Sequence, residues 1–342
     1  MMENLIRKNI KQLSPYSTAR DEYDGEIGVF LDANENPFNT GLNRYPDPHQ
    51  RRLKEVICKI KGVDVENIFL GNGSDEPIDI LYRIFCEPRV DSVVTITPSY
   101  GMYGVAAKIN DVEVISVPLN EKFDINKEAV INAVKPSTKM IMLCSPNNPS
   151  GNLLNKREIV SILENFSGVV VVDEAYIDFA DDKGFLPLIN DYKNLVVLQT
   201  LSKAWGFAGV RLGMAFASSE IISVMSQVKY PYNIGVHTQT LLIDLLTNGC
   251  EMLKQVEIIK KERSRVILEL GKFNFVKQIY PSDSNFILVK FDDANKIYNY
   301  LIEKTIIVRD RSKIKGCEGM LRITIGREQE NDRLIEILKS LV

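Results

Sequence analysis

Five polar clusters carry residue types that can do chemistry together, and four of them each follow a short strand-like run. The four are Gly71-Asn72-Gly73-Ser74-Asp75, Ser145-Pro146-Asn147-Asn148-Pro149-Ser150-Gly151, Asp173-Glu174-Ala175-Tyr176 and Thr200-Leu201-Ser202-Lys203. The fifth, Gly209-Val210-Arg211-Leu212-Gly213, comes soon after. In the first, glycines let backbone N–H groups approach an anion at a helix N-terminus. A plain Gly-Asn-Gly turn capped by Ser74 or Asp75 is the equally open reading. Asp173 closes an apolar run, 169–172, so its carboxylate needs a partner. That partner is either a structural cation or the protonated nitrogen of a bound heterocycle. Tyr176, three residues on, reaches the same ligand if the chain turns there.

Lys203 stands between Ser202 and Ala204-Trp205-Gly206-Phe207. It reads either as a solvated surface charge or as a desolvated amine suited to Schiff-base chemistry. Ser202 and Arg211 would then complete a phosphate site, the guanidinium acting as a two-pronged donor. No G-x-x-x-x-G-K-[ST] or G-x-G-x-x-G motif stands in these clusters, so nucleotide binding gains no support. The chain has two histidines, His49 and His237, which leaves little for zinc or for Ser-His catalysis. Its five cysteines are scattered at no metal-ligand spacing, so reduced thiols and no metal are expected.

Those clusters need a scaffold that aims strand ends at one crevice. Strand-like runs at 67–70, 92–96, 113–117, 139–143, 169–173 and 195–199 alternate with helical patterns near 49–61, 75–86, 126–134 and 155–165. That grammar predicts an α/β domain on a mostly parallel sheet, with ligands at the carboxyl ends of its strands. A long charged amphipathic helix follows at 251–270 and reads as a strut. Beyond it come short alternations at 286–289, 306–308 and 321–324, with helices near 293–302 and 327–340. These predict a small α+β domain. The expected division is a large domain at 38–255 and a small one made of 1–37 and 256–342, since 342 residues exceed one ordinary core. Lys plus Arg number 42 against 45 acidic residues, which argues against a broad field for nucleic acid. No apolar stretch approaches the roughly 20 residues of a membrane span, and no signal peptide is visible at the N-terminus. A soluble, cytoplasmic protein is expected.

Together and in this order, the motifs carry a resemblance. The stretch from Thr200 to Gly213 resembles the lysine motif of fold-type I aminotransferases, which use pyridoxal 5'-phosphate. Ser145–Gly151 and Asp173–Tyr176 resemble the two motifs that precede it in that family. More narrowly, Leu31-Asp32-Ala33-Asn34-Glu35-Asn36-Pro37, Asn43-Arg44-Tyr45-Pro46-Asp47-Pro48, Ile307-Val308-Arg309-Asp310 and Leu321-Arg322-Ile323-Thr324-Ile325-Gly326 resemble the histidinol-phosphate aminotransferase family. The likeness runs from Ser14 to the last helix.

The resemblance implies a fold and a set of roles. Lys203 would carry the cofactor as a Schiff base and shuttle the substrate's Cα proton. Asp173 would keep the pyridine nitrogen protonated. Asn148 and Tyr176 would bond the ring's phenolic oxygen, and Tyr100 would stack on its face. Ser74, Asp75, Ser202 and Arg211 would cradle the phosphate. Tyr45 would reach the cofactor phosphate of a second subunit, which implies a homodimer with shared sites. Arg322 would hold the substrate carboxylate, Arg309 and Arg20 the substrate phosphate, and Asn34 would face the substrate. The implied reaction is ping-pong exchange between L-glutamate and imidazole-acetol phosphate, giving 2-oxoglutarate and L-histidinol phosphate.

Some positions depart from the family pattern. Lys315 precedes Gly316 where proline is expected, Arg327 follows Gly326 in place of a small polar residue, and Phe207 replaces leucine. The first two lie near the substrate arginines and bear on selectivity. Threonine-phosphate decarboxylation and aromatic amino-acid transamination are the rival reactions on the same fold. A non-catalytic cofactor-binding regulatory module is the rival of another class, and no helix-turn-helix segment or basic extension supports it.

Overall fold

The computed structural model describes residues 2–14, 16–18, 23, 28–249 and 251–341. Seven strands build the larger sheet: β1 (Ile68–Asn72), β2 (Ser92–Thr97), β3 (Glu113–Pro118), β4 (Thr138–Cys144), β5 (Val169–Asp173), β6 (Leu195–Thr200) and β7 (Leu212–Ala217). Their spatial order is β1-β7-β6-β5-β4-β2-β3. The run β3-β2-β4-β5-β6 pairs in parallel, while β7 lies antiparallel between β6 and β1. Two reversals therefore leave β1 parallel to β6. The carboxyl ends of β1, β4, β5 and β6 and the start of β7 meet at one edge.

Strand β5 is central because both its faces are apolar. Val170 and Val172 join Ile141 and Leu143 in the core on one side of the sheet. Val169 and Val171 join Met140 and Met142 in the core on the other. Alternation thus feeds two cores from one strand, as a sheet covered by helices on both faces requires. Each fully buried valine contributes about 1.5–3 kcal/mol to holding this frame.

A second sheet contains β8 (Val276–Ile279), β9 (Phe286–Phe291), β10 (Arg309–Asp310) and β11 (Met320–Thr324). It is antiparallel throughout, in the order β10-β11-β9-β8. Its core draws Ile287, Val289, Leu321 and Ile323 together with Leu334, Ile335 and Leu338 of helix Glu328–Lys339. The long helix Met252–Leu270 belongs to both cores. Its Met252 and Val256 pack under the large sheet, and its Val266 and Leu270 under the small one.

The alternation read from sequence gives the six parallel-type strands within one or two residues, but β7 and β8 went unread. Strand β7 is Leu-Gly-Met-Ala-Phe-Ala, with no β-branched residue, so only its burial between β1 and β6 makes it a strand. Helices Met102–Ile109, Ser219–Val228 and Val236–Thr247 also went unread. The run at 306–308 pairs one step later, as β10. Leu5 and Ile6, placed by sequence with the small domain, pack instead against the large sheet's outer core. Arg7 fixes them there through Glu87 at 3.0 Å and the carbonyl of Arg83. No helix among the described residues is long and apolar enough to cross a membrane.

Candidate active site

Nine residues singled out from sequence line one cleft at the shared strand edge: Ser74, Asp75, Tyr100, Asn148, Asp173, Tyr176, Ser202, Lys203 and Arg211. Cys144, Ala175 and Thr200 complete the lining. Asp173 forms the floor at the end of β5 and is 2% exposed. Its Oδ2 accepts from the Tyr103 hydroxyl at 2.8 Å and its Oδ1 from the Ala175 N–H at 3.1 Å. Burial pushes its pKa up to about 6, against the pull of those hydrogen bonds and of Lys203. A carboxylate so placed gains most from a cation brought into the cleft.

Lys203 follows β6 and points back over the Tyr176 ring, its Nζ 5.5 Å from the centroid. It stays open to solvent along the cleft. Even so, surrounding protein and then Arg322 hold its ammonium pKa below the ordinary lysine range, while Asp173 acts the other way. Such an amine is more readily neutral, and therefore more nucleophilic, than a surface lysine.

The opposite end of the cleft suits an anion. Ser74 precedes helix Asp75–Phe85, whose first N–H groups lack intrahelical partners. Arg211 sits in the left-handed region at φ 60°. Its carbonyl accepts the Gly73 N–H at 2.8 Å, which ties β7 to the loop after β1. A Cβ at Gly73 would meet Arg211 Nη2 at 2.5 Å, and one at Gly213 would meet the Ser74 nitrogen at 2.3 Å. The cradle exists because both are glycine. Gly213→Ala is expected to destabilise the protein by about 1–3 kcal/mol, read by denaturant unfolding, because backbone atoms must move to admit the methyl group. On the remaining side Ser202 and Thr200 share a hydroxyl contact at 3.0 Å. Tyr100 donates to Asp75 at 3.1 Å.

Arg322, on β11, touches the cleft lining through Asn148 without being part of that lining. Its Nη1 donates to Asn148 Oδ1 at 2.6 Å, and its guanidinium lies 5.2 Å from the Phe286 ring centroid. Asn148 is shared, its Nδ2 lying 3.5 Å from the Tyr176 hydroxyl. Other expected residues do not line this cleft. Arg309 is exposed on β10, in register with Arg322. Asn34 is exposed at φ 54°. Tyr45 is half exposed and stacks on Tyr232 with centroids 4.4 Å apart. Arg20 lies outside the described residues.

Sequence reasoning missed two groups. Tyr103, which grips Asp173, is fully buried one helical turn beyond Tyr100, and the Tyr-x-x-Tyr spacing was its only signal. Arg311 was the other, just past the end of β10 and two residues beyond Arg309. The adjacent Glu174 turns away from the cleft. It accepts from the Phe185 N–H and from Gln199 at 2.9 Å, so its role is to hold the loop beneath.

Comparison with known proteins agrees with this geometry. Residues 26–338 match the family of class I and II aminotransferases. The chain is 53% identical over 343 residues to a histidinol-phosphate aminotransferase of Cytophaga hutchinsonii, with 99% of each covered. It is 54% identical over 340 residues to that of Parabacteroides distasonis, again with 99% of each covered. Among solved structures, the histidinol-phosphate aminotransferase of Clostridium acetobutylicum aligns with a TM-score of 0.80 at 28% identity, over 88% of this chain and 91% of that one. The likeness extends far beyond the cleft motifs to the small sheet and both flanks, and on that full-length basis the chain belongs to the class I and II aminotransferases and, within them, to the histidinol-phosphate aminotransferase family.

Proposed function

We propose that the chain transfers an amino group between L-glutamate and imidazole-acetol phosphate, giving 2-oxoglutarate and L-histidinol phosphate in histidine biosynthesis, with pyridoxal 5'-phosphate as cofactor. One observation carries the reading. A perturbed lysine and a buried carboxylate share a cleft with an anion cradle, and Arg322 stands behind its wall, bonded to the lining residue Asn148.

The residues fit that cofactor. The cradle beside Arg211, which a Cβ at position 73 would fill, suits a phosphate, and the buried Asp173 carboxylate suits a protonated pyridine nitrogen. When bound, the cofactor supplies an electron-withdrawing ring that takes up the electron pair left at the substrate Cα. Lys203 Nζ would take up and return the proton at the substrate Cα. Asp173 holds the proton on the ring nitrogen, and Tyr103 keeps the carboxylate aimed. Tyr176, Asn148 and Tyr100, which line the cleft, would hold and orient the ring. The N–H groups at Ser74 and Asp75, the Ser202 hydroxyl and the Arg211 fork hold the phosphate. Arg322 takes the carboxylate of glutamate, Arg309 and Arg20 serve the phosphate of the phosphorylated substrate, and Asn34 faces the substrate.

The two substrates take turns in one cleft, which makes the mechanism ping-pong. A homodimer belongs to the same proposal, with Tyr45 reaching the partner's cofactor phosphate. The arm at 28–45 supports it. Val29 and Leu31 are 88% and 86% exposed, and Phe38 and Tyr45 are also open, an apolar face fit for a second copy. A sedimentation measurement is expected to give twice the chain mass. The cytoplasm is the proposed compartment, in keeping with the free thiols of Cys58, Cys86, Cys144 and Cys317.

An absorption spectrum tests the reaction. The purified protein is expected to show a visible cofactor band that borohydride removes. Histidinol phosphate should convert that band to the amine form, and 2-oxoglutarate should restore it. A band that ignores histidinol phosphate would keep the cofactor and remove the substrate.

A further inference from the structure

Three guanidinium groups gather at the end of the small sheet that meets the cleft. Arg309 stands opposite Arg322 in the β10–β11 register. Arg311 continues the pairing, its N–H donating to the Met320 carbonyl at 3.0 Å. Arg311 thus lies close enough to Arg322 and Arg309 for both charges to act on it. Burial, then Arg322, then Arg309 lower its pKa to about 10. Arg322 is lowered by burial and by Arg309 as well. The Tyr176 phenol, which lines the cleft, feels both Arg322 and Arg311, so these charges act at the cleft mouth.

Among the described residues no carboxylate is paired with Arg311 or Arg322. The groups acting on Arg311 and Arg322 with the opposite sign are the Tyr176 phenol and, for Arg311, the Cys317 thiol; no carboxylate is among them. Asp310, between Arg309 and Arg311, is turned aside and caps the Ser312 N–H at 2.8 Å. Arg265, by contrast, is paired with Glu262 and Asp332. Arg322 is held by Asn148 and Phe286. Arg311 is not held: among the described residues its side chain makes no hydrogen bond, and its Nε is buried without a partner. A half-buried cation left like this, beside two others, is costly until an anion arrives.

We propose that Arg311 is a specificity-determining residue that joins Arg309 and Arg322 in binding the phosphate dianion of the phosphorylated substrate. The inference rests on the substrate reading above. A carboxylate has two oxygens and one charge, which a single fork satisfies. A phosphate monoester presents three oxygens and nearly two charges, which matches three convergent guanidinium groups. Arg311 therefore separates the two half-reactions: it matters for the phosphorylated amine and little for glutamate.

The test compares unaltered holoenzyme with R311Q and R311K in the two half-reactions, each followed through the cofactor band. Ligand-induced rise in melting temperature gives a second reading that needs no turnover. In R311Q the apparent Kd for histidinol phosphate is expected to rise about 10- to 100-fold, and that for glutamate by less than about threefold. The melting rise produced by histidinol phosphate should shrink in step. R311K, which keeps the charge and stem but loses the fork, should fall between the two and serves if R311Q folds poorly. Equal weakening toward both substrates, or unchanged affinity for histidinol phosphate, overturns the role of Arg311. If unaltered holoenzyme answers glutamate but not histidinol phosphate, the substrate reading itself falls and takes this one with it.

Discussion

Lys203→Ala is expected to lower kcat by about 10⁴-fold or more, the upper range for removing a group that moves the proton in the rate-determining region. The size follows from position. Lys203 is the amine that follows β6 at the cleft edge, and the surrounding protein and Arg322 keep it below the ordinary lysine range. No other lysine lines the cleft. The variant should still fold, because the side chain is open to solvent and supports no core. It should also lose the borohydride-sensitive band while retaining noncovalent affinity through the Ser74–Arg211 cradle. Turnover within tenfold of the unaltered chain would remove Lys203 from its role.

Asp173→Asn should move activity and stability in opposite directions. Activity is expected to fall by about 10²–10⁴-fold, since an amide cannot hold the ring nitrogen's proton as a carboxylate does. For stability the sign runs the other way. Burial raises the Asp173 pKa from an ordinary 3.8 to about 6 in the cofactor-free chain. The folded state then binds the proton more tightly than the unfolded state, so stability falls as pH rises through that window. Above it the loss amounts to about 3 kcal/mol. Asparagine removes that dependence, although it keeps only one acceptor for Tyr103 and Ala175. Cofactor-free Asp173→Asn should therefore melt at or above the unaltered protein above about pH 7, and lose that advantage below about pH 4. Melting curves at the two pH values, beside one activity measurement, decide the matter.

Much of the cleft could be read from the chain because its residues sit where strands stop. Asp173 after four valines, Lys203 after β6 and Ser74 after β1 each announce themselves by a change from apolar to polar. The parallel sheet then brings distant stretches to one edge without further information. What escaped depends on packing. Strand β7 has no β-branched residue and only Phe216 to favour a strand, so its neighbours on both sides fix it. Tyr103 meets Asp173 across 70 positions, a contact that no local pattern encodes. Arg311 gives no signal until β10 is known to pair with β11, because only that register sets it beside Arg309 and Arg322.

The helix Met252–Leu270 reaches both cores, and this has a mechanical consequence. Nineteen residues at about 1.5 Å each make a rod about 28 Å long. One end is set under the large sheet by Met252 and Val256, the other under the small sheet by Val266 and Leu270. Each degree of tilt at the first end carries the second through about 0.5 Å. The arginines of β10 and β11 belong to the sheet at that second end. A few degrees at the pivot would carry them through more than the length of a hydrogen-bond adjustment, and the lysine end of the cleft would hardly stir.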